Sequence, residues 1–138
     1  MAFNDSIKEA LPDYAKDTKL NLDAVLLRST LDADVAMGCA VAALAATGNG
    51  KVLSILLADA PVLAEPAMTA ASIMAQNNVW YPFVEMADDT NLKGLPAQLR
   101  MNAIANHGGT TKANFEAFSL AASIVGKCHF CEIGRAHV

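Results

Sequence analysis

Val35-Ala36-Met37-Gly38-Cys39-Ala40-Val41-Ala42-Ala43-Leu44-Ala45-Ala46 contains no charged residue. It is apolar nearly all round, and that pattern marks a helix buried on every side. It is too short to cross a bilayer. Upstream, Thr30 precedes Leu31-Asp32-Ala33-Asp34, whose acidic residues suit a helix start. Downstream, Gly48-Asn49-Gly50 ends the helix.

The rest of the chain agrees with this helical reading. Its 138 residues suit one domain, and no internal repeat or linker divides them. The composition is 54% hydrophobic and 17% charged, enough to bury a core. Alanine is abundant, aromatic residues make up only 6%, and β-branched residues do not cluster, which favours close-packed helices over sheets. The net charge of −4 comes without a basic stripe, which argues against a nucleic-acid partner. Residues 1–9 lack a basic region followed by an apolar run, so no signal peptide is read there. No membrane association is expected, and the expected compartment is the cytoplasm. In that reducing setting a close cysteine pair is redox-active or metal-binding rather than structural.

Further helices are expected along the chain. Asn4, Asp5 and Ser6 offer an N-cap before Ile7, and Pro12 interrupts that start. Leu20, Leu22, Val25, Leu26 and Ser29 follow helical spacing. Residues 51–59 and 64–77 form two more helices, followed by the aromatic segment Asn77-Asn78-Val79-Trp80-Tyr81-Pro82-Phe83. Gly94 and Pro96 mark a loop before a short helix over 99–105, and His107-Gly108-Gly109-Thr110 is a turn. A long helix runs from Thr111 or Lys112 towards Val125. Gly126-Lys127 should break it just before Cys128. The break matters, because Glu116 and Cys128 would stand about 120° apart on one continuous helix. A bend at Gly126 could swing the cysteines back over Glu116.

Cys128-His129-Phe130-Cys131 is where the chemistry concentrates. Two cysteines so spaced can close a disulfide across one turn, and a helix N-terminus favours the thiolate. A thiolate attacks a peroxide oxygen and becomes a sulfenic acid, a neighbouring thiol condenses with it, and an external dithiol restores the pair by exchange. Two other readings stay open on the motif alone. It could be half of a zinc site, with Cys39, His107, His129 and His137 as candidate further ligands. It could also belong to a thioredoxin-like fold, which would need βαβ patterning before the motif. Glu116, among Phe115, Ala117, Phe118 and Leu120, is either an exposed carboxylate favoured by the helix dipole or a buried proton acceptor for the thiol pair. Cys39 reads as a small core residue, and His107 as an exposed turn residue.

Several separate stretches, in order, carry a resemblance. They are Leu11-Pro12-Asp13-Tyr14-Ala15-Lys16-Asp17, Leu20-Asn21-Leu22, Met74-Ala75-Gln76-Asn77-Asn78-Val79, Leu99-Arg100-Met101-Asn102-Ala103-Ile104-Ala105-Asn106 and Lys112-Ala113-Asn114-Phe115-Glu116 before the cysteine pair. With them the chain resembles the AhpD family of thiol-dependent alkyl hydroperoxidases, in the carboxymuconolactone decarboxylase-like superfamily. The resemblance implies an all-α fold, a homotrimer, and an antioxidant peroxidase that also regenerates a partner peroxiredoxin, AhpC. It implies electrons from a dihydrolipoyl-bearing protein, and neither a cofactor nor a metal. Carried over by position, Cys131 resembles the peroxide-attacking cysteine. Cys128 resembles the second thiol, which donates a proton and closes the disulfide, and Glu116 resembles the carboxylate of a proton relay. A decarboxylase-like domain shares the helical architecture but has no need of two thiols. A non-enzymatic helical module is the remaining alternative.

The chain departs from the family in three places. The family has a His four residues after the second Cys, where this sequence has Arg135. Many members have a His immediately before that Cys, where Phe130 stands here. His129 is displaced by one position, and His137 lies at the wrong offset. The last stretch, Glu132-Ile133-Gly134-Arg135-Ala136-His137-Val138, is unlike the family and reads as a translated sequencing-library adapter, GAG ATC GGA AGA GCA CAC GTC. The expectation is an AhpD-like helical domain over 1–131, incomplete at its C-terminus, with a non-native tail over 132–138. A chain so truncated is expected to be less active and less stable than a family member with its following helices.

Overall fold

The computed structural model describes residues 2–133. Most of the tail expected at 132–138, with Arg135 and His137, lies outside the described residues. The architecture is all-α, with no strand among the described residues. In order come α1 (Ala2–Ala10), a 3-10 turn (Asp13–Ala15), α2 (Lys16–Leu22) running into a π-turn (Asp23–Leu27), α3 (Ala33–Thr47), α4 (Gly50–Leu57), α5 (Ala64–Ala87), α6 (Thr90–Lys93), a kinked 3-10 segment (Asn102–Gly109), α7 (Lys112–Val125) and α8 (His129–Ile133).

The core forms where α3, α5 and α7 pack against one another. The apolar stretch from Val35 to Ala46 lies within α3. It buries Ala36, Met37, Gly38, Val41 and Ala42, and Gly48 caps it in the left-handed conformation with φ 73°. Gly38 permits the closest approach in this core. A Cβ there would lie 2.4 Å from the Phe118 ring of α7, so any larger residue would push the two helices apart. Phe115 and Phe118 fill the space between the three helices, with Met74, Leu56 and Val41 around them.

Several boundaries differ from those read in the sequence. Helix α1 begins at Ala2, ahead of the expected cap at Asn4 to Ser6. Its start is tied down from outside, since the Phe3 N–H donates to Asp59 and both Asn4 and Lys8 donate to Asp23. Helix α5 does not stop at 77. It continues through the aromatic segment and Pro82 to Ala87, where Asp88 turns left-handed. The expected short helix over 99–105 is a 3-10 segment displaced to 102–109, with His107 and Gly108 at positive φ inside it. His107 is half-buried rather than exposed, with its ring 6.3 Å from that of Phe115.

Candidate active site

Helix α7 starts and stops at positions legible in its sequence. Thr111 caps its start by accepting the Asn114 N–H at 3.2 Å. At its other end the Lys127 N–H donates to Ile124 O and the Cys128 N–H donates to Ser123 O, both at 3.1 Å. These two bonds make a Schellman turn, the usual way a helix satisfies its last carbonyls while reversing direction. The left-handed residue is Lys127, with φ 55°. Gly126 is needed for a different reason. A Cβ on it would lie 2.2 Å from the Asn78 amide, which itself donates to Ala122 O at 3.3 Å.

The turn delivers Cys128 to the start of α8, and α8 folds back against both α5 and α7. The expected break at Gly126-Lys127 is therefore present, and it produces the reversal that a straight helix would not. A disulfide joins Cys128 and Cys131, with their Cα atoms 5.3 Å apart. The Cys131 N–H donates to Cys128 Sγ at 3.4 Å, and the Glu132 N–H donates to Cys128 O at 3.0 Å. Cys128 thus receives a backbone donor on its sulfur, a contact that favours a thiolate when the pair is reduced. The residues are 0% and 4% exposed. Beside them Pro82, Glu85, Met86, Lys127 and His129 line a cleft of about 360 Å³.

Glu116 lies in the first turns of α7 and is half-buried, between the two environments that the sequence left open. Cys39 is not brought into a pairing. It is the free cysteine, half-buried on α3, and burial pushes its thiol up. Among the described residues, no group of three or more His, Cys, Asp or Glu side chains converges as a metal site would require.

Sequence reasoning gave no role to a set of small polar residues near this site. Ser119 and Ser123 are 0% exposed on α7, and their hydroxyls have no hydrogen-bond partner among the described residues. On α5, Asn77 and Asn78 each hold a buried side-chain oxygen in the same condition. The available signal was spacing. Ser119 and Ser123 follow Glu116 by three and seven positions, which keeps them on its side of the helix.

Known proteins resemble the chain over nearly its whole length. It is 43% identical over 132 residues to a protein of Rhodopseudomonas palustris (strain BisB18) named Alkyl hydroperoxide reductase AhpD, covering 92% of this chain and 72% of that protein. It is 44% identical over 136 residues to the protein of the same name from Anaeromyxobacter sp. (strain K), covering 95% of this chain and 73% of the relative. For the protein of that name from Maricaulis maris (strain MCS10) the identity is 42% over 132 residues, covering 92% and 76%. No family model matches the chain.

Proposed function

The chain belongs to the AhpD family, and from that premise we propose that it reduces alkyl hydroperoxides with a dithiol formed by Cys128 and Cys131. The observation that carries the proposal is the pairing of these two cysteines across the first turn of α8, inside a chain more than 40% identical to proteins named for this activity. A disulfide between them is the oxidised end point of such a cycle.

In the proposed cycle the Cys131 thiol loses its proton to the Glu116 carboxylate, and its thiolate attacks the terminal oxygen of the hydroperoxide. The O–O bond breaks, Cys131 becomes a sulfenic acid, and the departing alkoxide takes the Cys128 proton to leave as an alcohol. The Cys128 thiolate, held by the Cys131 N–H, attacks the sulfenic sulfur. Hydroxide departs, takes the proton stored on Glu116, and leaves as water. Two thiols have lost two electrons to one O–O bond. A dithiol restores the pair by exchange, and the family resemblance points to a dihydrolipoyl-bearing protein as its source. The same resemblance extends the proposal to regeneration of the peroxiredoxin AhpC, to a homotrimer, and to the cytoplasm. No helix among the described residues is long and apolar enough to cross a membrane.

The order of the cysteines is tested by trapping. Reduced Cys128→Ser protein treated with cumene hydroperoxide should form a sulfenic acid on Cys131 that a dimedone probe captures, whereas Cys131→Ser should give none on Cys128. The reverse labelling would exchange the two roles. A bridge to Cys39 in the wild type, mapped by mass spectrometry, would remove the proposal altogether.

A further inference from the structure

We propose that Ser119 and Ser123 are positioning residues that carry the proton between Glu116 and the cysteine pair. The inference rests on the dithiol reading, with Glu116 as the proton acceptor.

Hydroxyls on helices normally satisfy themselves by bonding back to a carbonyl one turn earlier. Others in this chain do so. Ser54 donates to Lys51 O at 2.8 Å, Thr69 to Glu65 O at 2.9 Å, and Ser72 to Thr69 O at 2.8 Å. Ser119 and Ser123 could do the same and do not, although both are fully buried. A buried hydroxyl without a partner is destabilising, and α7 would hold Ala at either position more easily. Two such hydroxyls one turn apart, on one helix, are a feature that packing does not call for.

Their placement connects the two ends of the proposed chemistry. From Glu116 the helix leads to Ser119 at three residues and to Ser123 at four more, each step joining neighbours on one side of α7. The Ser123 carbonyl in turn accepts the Cys128 N–H at 3.1 Å, a main-chain bond that ties the last residue of the row to the backbone of the cysteine pair. Side chains one helical turn apart sit at about 5–6 Å. That gap is too long for a direct hydroxyl contact and right for one bridging water, which needs two to four polar partners. The carboxamide oxygens of Asn77 and Asn78 on the packed helix α5 offer further acceptors for such waters.

A hydroxyl accepts one proton and releases another, so the row transfers charge without a net change in itself. The Cys131 proton enters at the Ser123 end and another reaches the Glu116 carboxylate. When hydroxide leaves the sulfenic sulfur, the flow reverses and the carboxylate is regenerated.

The test is stopped-flow oxidation of the reduced chain by cumene hydroperoxide, for wild type and for Ser119→Ala, Ser123→Ala and Glu116→Gln, each melted in parallel. General acid–base assistance is typically worth about 10²–10⁴-fold, and losing one link of a path should cost on the order of tenfold. Each Ser→Ala variant is expected to slow disulfide formation by that factor, to melt no lower than wild type, and to become faster as imidazole buffer is raised. The solvent deuterium isotope effect on the step should also grow. Slow, imidazole-insensitive oxidation, or slowing in step with a lower melting temperature, would mean a packing role and overturn the inference. Wild-type rates in both Ser variants beside a slow Glu116→Gln would overturn it while leaving the dithiol reading intact. Wild-type rates in all three would remove Glu116 from the proposed cycle as well.

Discussion

Three cysteines share this chain, and their surroundings divide them. Cys39 sits half-buried on α3 among apolar neighbours, where the charged form of a thiol is disfavoured and its pKa is pushed up. Cys128 instead takes the Cys131 N–H on its sulfur, a contact that stabilises negative charge. Cys39 is therefore expected to resist alkylation at neutral pH and to label only as the pH rises above the ordinary thiol range. The same shift has a consequence for stability. A raised pKa means that the folded chain holds this proton more tightly than the unfolded chain does. The associated stability is complete below the unfolded thiol value and is lost as the pH rises through the folded one. Cys39→Ala should flatten that alkaline decline and leave the Cys128–Cys131 bridge unaffected. Mass-mapped alkylation across pH, with melting curves for both proteins, checks this. Rapid labelling of Cys39 near neutrality would contradict it.

At the scale of elements, the turn between α7 and α8 decides whether the cysteines face the helix that carries Glu116. Gly126 and Lys127 were both legible as a break, but their roles are exchanged relative to a simple glycine cap. Lys127 holds the left-handed position, and Gly126 makes room for Asn78. Lys127→Gly should accordingly stabilise the chain by about 1 kcal/mol, since it relieves a left-handed non-glycine residue. Gly126→Ala should destabilise it by about 1–3 kcal/mol through overpacking, and part of that loss should return in the double variant with Asn78→Ala. Urea unfolding of the single and double variants measures this, and strict additivity would show that Gly126 and Asn78 do not oppose each other. The same residues explain what the sequence hid. Helices α3 and α7 could be read because apolar pattern and caps agreed. The full length of α5 could not, because Asn77, Asn78 and Pro82 look like breakers in isolation. In the fold Asn77 is buried, the Asn78 side chain spends its donor on Ala122 O, and both sit against packed neighbours that override local preference. The cysteine pair was legible from its spacing. Ser119 and Ser123 were not, because small polar residues in a helix usually bond to their own backbone, and only the packing reveals that these do not.

At the scale of the whole molecule, one face of α5 carries large apolar side chains that the other described residues leave exposed. Its first half buries Ala67, Ala70, Ala71, Ile73 and Met74, but further along Val79, Phe83 and Met86 are 70%, 51% and 77% exposed. Their spacing of four and then three residues puts them on one side of the helix. Isolated exposed apolar residues are common, whereas a stripe of large ones marks a surface that something covers. The trimer proposed above would cover it with further copies of this chain. The stripe also reaches the cleft that Met86 lines together with Lys127 and His129, the chain neighbours of Cys128, so assembly would bear on access to the disulfide. Light scattering of the wild-type chain should give three times the mass of one chain, with a melting temperature that rises with protein concentration. Phe83→Glu with Met86→Glu places two charges in the stripe and should reduce the particle to one chain, because burying unpaired carboxylates between subunits is strongly unfavourable. The monomer so produced should keep its helix content, since neither side chain belongs to the α3–α5–α7 core, and reduction of its disulfide by dithiothreitol should change in rate. A wild-type chain that stays single at high concentration, or a charged variant that stays trimeric, would show that this stripe is not the contact between copies.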